Sequence, residues 1–284
     1  MKSNAPEVSI LLGTYNPDIS YLESSVKSIV NQTFTDWELL ILDDGSDMDV
    51  ARQIHKMKYL DPRIRCIRIK HHRGLAAVLN SGLKIARGRY IARMDDDDVS
   101  LPQRLQKETD FLKTHPAYGW VGCCALLFDE DGVWGKADRP QKPDEKSFLH
   151  SSPYIHPSVL FRGEVLKKNH GYNTAPACAR CEDYELFMRL HAGHYRGYNL
   201  QEVLFEYRED RNNLHRSFRY CLYEMLIRRK WFSRLQILSL STVYYVYKPL
   251  FVWLMTLFAP GAAQKIRISR NVRDHLQTRA PRHE

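Results

Sequence analysis

Residues 74–98 read GLAAVLNSGLKIARGRYIARMDDDD, and the fold turns on this stretch. Residues 74–86 carry apolar side chains at helical spacing. Tyr90–Met94 is a short apolar strand, and four successive aspartates, Asp95 to Asp98, follow at its carboxyl end. Reading back toward the N-terminus, the same unit recurs. Val8–Thr14 is a strand, and Leu22, Val26, Ile29 and Val30 then fall on one helical face. Residues 37–42 form a second strand, closed by the turn formers Asp43, Asp44, Gly45 and Ser46, and a third strand lies at 64–69. Short apolar runs alternating with amphipathic stretches are the pattern of an α/β protein with a Rossmann-like, mostly parallel central sheet flanked by helices. Reading forward, Ser100 with Pro102 two residues later suggests a cap and first turn, so the tetrad occupies a loop between the fourth strand and the next helix.

Position gives these loops meaning, because open parallel sheets bind ligands at the carboxyl ends of their strands, and both acidic loops fall at such ends. Residues 131–153 are rich in Pro, Gly, Lys and Asp and read as a loop separating a nucleotide-binding half, 1–130, from a second half, 131–207. An apolar strand is expected at 158–161 and a helix from near Asp183. Residues 208–284 form a basic helical tail: 15 Lys and Arg stand there against 5 Asp and Glu, leaving 27 against 28 in residues 1–207. The formal charge of +9 therefore belongs to the tail, which disfavours a nucleic-acid interface on the folded body. A basic membrane- or nucleic-acid-binding protein built on a non-catalytic nucleotide-binding domain is the alternative class.

Four neighbouring carboxylates repel one another, and at the end of a buried strand they need a cation or strong donors opposite. Oxygen ligands suit Mn²⁺ or Mg²⁺ bridging protein carboxylates to substrate phosphates. Spacing alone equally allows a solvated acidic turn. Strand periodicity puts Arg93 on the side of Asp95, where it offsets acidic charge or touches phosphate. Six cysteines lie scattered without a pairing framework, and Cys178-x-x-Cys181 has no second pair for zinc.

The stretch from Gly74 to Asp98 closely resembles the core of family-2 glycosyltransferases. Gly13-Thr14-Tyr15-Asn16, Asn31-Gln32-Thr33, Asp43-Asp44-Gly45-Ser46, His156-Pro157-Ser158 and Cys181-Glu182-Asp183-Tyr184 resemble further landmarks of that family, in the family's order, over residues 7–208. The resemblance implies a GT-A fold and an inverting, metal-dependent hexosyl transfer from a nucleotide-sugar donor, a UDP-sugar favoured, to a glycan acceptor, as in cell-surface polysaccharide or O-antigen synthesis. By the same resemblance Thr14, Tyr15, Asn16, Asp43 and Asp44 cradle the nucleoside with Arg93, Asp95 and Asp96 alongside. Asp97 and Asp95 meet the metal, although Asp96 in place of a small residue leaves open whether 95 and 97 or 96 and 98 form the pair. Asp183 corresponds to the catalytic base, with Glu182 the second choice, and His156 lies toward acceptor or diphosphate. A carboxylate at a helix start is favoured in its ionised form, yet the same place suits a plain cap.

Residues 238–258, LSLSTVYYVYKPLFVWLMTLF, are apolar and aromatic, interrupted by Lys248-Pro249, with Arg228, Arg229, Lys230 and Arg234 before and Lys265, Arg267, Arg270 and Arg273 after. Basic flanks and the central Lys-Pro favour a segment lying on a membrane surface over one crossing it, with packing on the body or on a second subunit the alternative. Residues 8–12 are too short an apolar run for a secretory signal. The expectation is a cytoplasmic protein, peripherally attached to the inner face of the membrane, with a lipid-linked acceptor and a homo-oligomer among the partners to be tested.

Overall fold

The computed structural model describes residues 5–210 and 217–258. Along the chain run β1 (Val8–Thr14), α1 (Ile19–Val30), β2 (Trp37–Asp43), α2 (Met48–Lys56), β3 (Ile64–Arg68), α3 (Leu75–Ile85), β4 (Tyr90–Met94) and β5 (Val99–Ser100). Then come α4 (Arg104–Thr114), β6 (Trp120–Asp129), β7 (Gly132–Ala137), β8 (Leu160–Arg162), α5 (Gly163–Lys168), α6 (Glu182–Ala192), β9 (Gly197–Arg208), α7 (Phe218–Arg234) and α8 (Val243–Phe258).

One nine-stranded sheet runs in the order β3-β2-β1-β4-β8-β6-β9-β5, with β7 paired to β6. The first four strands are parallel, and every residue of β1 and β2 is buried because helices cover both faces. From β4 onward the pairing is mixed: β8 lies antiparallel between β4 and β6, whereas β9 runs parallel to β6. A mixed sheet thus replaces the mostly parallel one expected. The expected loop at 131–153 holds β7, and it contains a 3₁₀ turn at Glu145–Leu149 capped by Asp144, whose carboxylate accepts the Ser147 N–H at 2.9 Å.

Ser100 does not cap a helix. It pairs with Phe205 in β5, its N–H donates to Ser28 Oγ at 3.0 Å, and α4 starts only at Arg104. The genuine cap is Asp18, whose carboxylate accepts the Ser20 N–H at 2.8 Å to open α1.

Two helices follow the sheet. Pro249 inside α8 has no N–H to offer the carbonyl of Tyr245, and Arg228 of α7 donates to that carbonyl instead at 3.3 Å. The same guanidinium holds the Leu149 carbonyl at 2.8 Å and pairs with Glu224, so it pins α8 to α7 and to the body. Among the described residues no helix is long and apolar enough to cross a membrane. The basic cluster Lys265, Arg267, Arg270 and Arg273 lies outside the described residues.

Candidate active site

The carboxyl ends of β1, β2 and β4 lie level, with Thr14 opposite Asp43 and Leu12 opposite Met94, so the loops that leave them share one crevice. On one side the DDGS turn is held from within. Asp43 accepts the Ser46 N–H at 2.9 Å, and Asp44 accepts the N–H groups of Arg73 and Gly74 at 2.9 and 2.7 Å. Gly45 sits at φ 80°, where a Cβ would lie 2.8 Å from the His72 nitrogen, so no side chain fits. Asn16, itself at φ 45°, stitches β1's loop to this turn: its N–H donates to Ser46 Oγ at 2.9 Å, and its Oδ1 accepts from Asp47 at 2.8 Å. Tyr15 is left 48% exposed, its ring 4.0 Å from that of His72. An exposed ring pair beside the strand ends is a stacking surface for a planar group. His72 carries no motif signal and was not legible as a site residue.

On the other side stands the acidic loop, tied at every step. The Asp95 carboxylate pairs with Arg93, and its carbonyl accepts from Ser25 Oγ at 2.8 Å. Asp96 accepts from Thr14 Oγ1 at 2.5 Å, and Asp98 accepts the Arg208 N–H at 2.7 Å. Arg208 also donates to the Asp97 carbonyl at 3.2 Å, its guanidinium lying 3.8 Å from the Tyr21 ring and 4.5 Å from that of Phe128. Beneath the loop, Gln32 bonds the carbonyls of Ser100 and Leu101 at 3.1 and 2.8 Å, which makes the Asn31-Gln32-Thr33 segment a brace. Arg104, fully buried, reaches the Arg93 carbonyl at 2.9 Å and pairs with buried Glu108 at 3.3 Å.

Burial, joined by the charges of Asp95 and Asp96, pushes the Asp97 carboxyl up to about 6. Burial also raises Asp96, and burial with the Asp95 and Asp97 charges holds Asp98 well above the usual carboxylate range. Asp98 Oδ2 is buried and has no hydrogen-bond partner among the described residues. Burial and mutual repulsion outweigh the pull of Arg93 and Arg208 on these three carboxylates, and an all-oxygen set suits a hard divalent ion. Among the described residues no three His, Cys, Asp or Glu side chains already converge as a metal cage. Mg²⁺ commonly takes one or two carboxylates and completes its shell with phosphates and water, so the residues present fit such an ion. Cys178 and Cys181 are buried, and burial raises both thiols, as idle core cysteines behave.

The third part comes from the other half of the sheet. Asp183 lies in the first turn of α6, one residue after Glu182; Cys181 occupies the cap position. Burial first, then the Glu182 charge, pushes Asp183 up to about 7, against the pull of the Tyr184 N–H and Arg93. Burial raises Glu182 as well. Buried His156 is held well below its ordinary value by burial and then by Arg93, so it is neutral, and its Nε2 bonds the Tyr172 hydroxyl at 2.8 Å. Asn80 clips Tyr172 through its backbone N–H and carbonyl, both at 2.8 Å. One buried guanidinium, Arg93, thus lies within electrostatic reach of Asp95, Asp98, Glu182, Asp183 and His156. Asp183 and His156 open into a cavity of about 1060 Å³ also lined by Arg180, Tyr207 and α8.

An open crevice at level strand ends, with an acidic loop on a buried strand and a mixed second half, defines an α/β fold of the GT-A glycosyltransferase type. The chain belongs to glycosyl transferase family 2, whose description it matches over residues 9–187. It is 37% identical over 252 residues to the Bacillus subtilis (strain 168) protein named "Putative glycosyltransferase EpsE", covering 87% of this chain and 89% of that one. It is 31% identical over 208 residues to the Escherichia coli O-antigen biosynthesis glycosyltransferase WbnJ, covering 71% and 79%. Among solved structures, S. aureus TarS 1-349 in complex with UDP-GlcNAc superposes with TM-score 0.62 at 16% identity, covering 89% of this chain and 73% of that one. The Pyrobaculum calidifontis mannosyltransferase PcManGT with GDP-Man and Mn²⁺ gives 0.61 at 14% identity, covering 96% and 81%. At such identities the likeness is one of fold.

Proposed function

We propose that the protein transfers a hexose with inversion from a nucleotide-diphosphate sugar to a glycan hydroxyl in polysaccharide synthesis, with Asp183 as base and a divalent cation at the acidic loop. The observation that carries this reading is the gathering of Asp95, Asp98 and Asp183 about the single guanidinium of Arg93. Negative charge develops on a departing diphosphate on one side of that group, and a proton must leave an acceptor hydroxyl on the other. As the acceptor oxygen bonds the anomeric carbon, its proton passes to Asp183 Oδ. The anomeric C–O bond breaks, and its electron pair leaves with the nucleoside diphosphate. A carboxyl whose pKa lies near 7 is matched to that proton transfer. Asp97 and Asp95 would hold Mn²⁺ or Mg²⁺, which when bound would supply Lewis-acid neutralisation of the diphosphate. Tyr15 with His72 offers a stacking face for the base, and Thr14 orients Asp96 beside it.

The names of relatives that work in O-antigen and amylovoran biosynthesis support a polysaccharide role, and structures holding UDP-GlcNAc or GDP-Man support a nucleotide-sugar donor. Peripheral attachment at the inner membrane face through 238–258 belongs to the same reading. The outward stripe of α8, Val243, Tyr247, Leu254 and Phe258, is 39–80% exposed and wholly apolar apart from the tyrosine hydroxyl, as a helix lying in an interface requires.

A screen of nucleotide sugars by Mn²⁺-dependent thermal shift identifies the donor. Asp97→Asn is expected to abolish the Mn²⁺-dependent shift, and Asp183→Asn to keep the shift while losing transfer. Full transfer by either variant refutes the assignment.

A further inference from the structure

His156 and Asp183 line one cavity, and the groups behind the histidine settle which of its ring nitrogens carries the proton. After α5 the chain reverses through His170 and Gly171, both in the left-handed region at φ 61° and 64°. A Cβ on Gly171 would collide with Asn80 Oδ1, so only glycine lets this turn close on α3 and lets Asn80 clip Tyr172. Arg189 of α6, the helix that starts with Glu182 and Asp183, holds the same turn by donating to the carbonyls of Asn169 and Gly171, the latter at 2.7 Å. Tyr172 is thus fixed by both α3 and α6. It is 5% exposed, and the one partner of its hydroxyl among the described residues is His156 Nε2 at 2.8 Å. A buried O–H without an acceptor is costly, so the phenol donates and Nε2 accepts. The imidazole, kept neutral by burial and then by Arg93, must carry its single proton on Nδ1. Nδ1 has no partner among the described residues, yet it is not a buried orphan like His191 Nδ1: His156 keeps 8% of its surface and lines the cavity.

We infer that Tyr172 is a positioning residue that fixes His156 as the Nδ1–H tautomer, and that this N–H donates to a sugar hydroxyl oxygen in the cavity beside Asp183. A ring locked in this way does not carry a proton from one oxygen to another. It reads where a hydroxyl lies, and so serves orientation and selectivity. The sugar oxygen rests on the glycosyl-transfer reading; the tautomer follows from the hydrogen bonds alone.

The test uses the full chain with ¹⁵N-labelled histidine, whose long-range ¹H–¹⁵N spectra report which ring nitrogen is protonated; the signals lost in His156→Asn assign the residue. Nδ1–H is expected in the wild type. Tyr172→Phe, which keeps the ring and removes only the hydroxyl, is expected to give Nε2–H or a mixture of tautomers. Nε2–H in the wild type, or an unchanged tautomer in Tyr172→Phe, overturns the assignment. Release of nucleoside diphosphate is the second readout. Asn carries its amide nitrogen near the place of Nδ1 and Gln near that of Nε2, so His156→Asn is expected to outpace His156→Gln roughly tenfold, the worth of about one hydrogen bond. Equal loss in both, as a packing role would give, overturns the contact with a sugar oxygen. UDP-GlcNAc and GDP-mannose are then titrated against UDP and GDP, with methyl glucoside standing in for an acceptor ring. An Nδ1 shift that needs the attached hexose supports the contact and places the oxygen on the donor; one caused by methyl glucoside supports it and places the oxygen on the acceptor; no shift with any of them overturns it. Donor binding by the wild type is read in parallel by thermal shift. Its absence defeats the glycosyl-transfer reading and the sugar contact with it, and leaves the tautomer result standing by itself.

Discussion

Replacing Asp183 by Asn should remove transfer and at the same time make the protein more stable. The carboxyl's ordinary pKa of 3.8 is raised to about 7 in the folded chain, chiefly by burial and next by Glu182. Between these values the folded state binds more protons than the unfolded one, so stability falls as pH rises from about 4 to about 7. At 1.36 kcal/mol per unit the whole shift corresponds to about 4 kcal/mol; because Asp183 is only half-buried and open to the cavity, about half of that, ~2 kcal/mol, is the realistic cost. Asn keeps the shape and carries no charge, so it escapes this cost. Melting of both proteins, with chelator and without donor, is expected to give Asp183→Asn a Tm roughly 4–8 °C above wild type near pH 8. The advantage should vanish near pH 4, where the wild-type carboxyl is protonated. Transfer should fall by roughly 10²–10⁴. An Asn variant that is less stable than wild type near pH 8, or whose advantage is the same at both pH values, refutes the claim that Asp183 is a strained, desolvated acid.

Three further outcomes follow from particular contacts. The acid limb of kcat/KM should rise with pH through about 7, and Glu182→Gln, by removing the neighbouring like charge, should move that limb to lower pH; a limb that stays put assigns it to another group. Arg104→Met alone should destabilise by roughly 3–5 kcal/mol because it strands Glu108, whereas adding Glu108→Leu should restore most of the loss in denaturant melts. If the double variant also recovers donor affinity, the Arg104 bond to the Arg93 carbonyl does not position the acidic loop. Gly45→Ala should cost about 1–3 kcal/mol and raise the donor KM more than it lowers kcat, since the added methyl meets the backbone of His72 beside Tyr15.

The first half of the sheet was legible because its strands are covered on both faces, so β1, β2 and β4 read as mostly apolar runs broken only by Ser9, Glu38 and Arg93, and β2 and β4 end in acidic turns. The second half was not. β7, with the sequence GVWGKA, looks like a turn-rich loop and becomes a strand only because β6 supplies an edge; the pairing is long-range and leaves no local trace. Ser100 looked like a cap because caps are local signals. The structure spends its N–H on Ser28 and its carbonyl on Gln32, partners about seventy residues back in the chain. The same limit applies at the site. Motif residues that cluster in sequence, Asp95 to Asp98 or Glu182 and Asp183, could be read. Arg104, Glu108 and Arg208 could not, since a charge on an amphipathic helix or at a strand end ordinarily faces water, and only tertiary packing reveals that these are braces.

The tetrad's chemistry depends on that bracing. Four adjacent carboxylates would be equivalent in an exposed turn, and a cation would meet whichever pair geometry allowed. In the folded chain they are distinct: Asp95 is paired with Arg93, Asp96 with the Thr14 hydroxyl, and one oxygen of Asp98 with the Arg208 N–H. Among the described residues the Asp97 carboxylate takes a hydrogen bond only from its own backbone, and its pKa is raised to about 6 by burial and its neighbours. It is the member with most to gain from a positive charge and least protein bonding to give up. A cation that also used Asp95 would have to share it with Arg93, which is buried and also donates to the Met94 carbonyl. On the proposed reading, Arg93, within electrostatic reach of both Asp95 and Asp183, would be the residue that couples the donor and acceptor sides of the crevice.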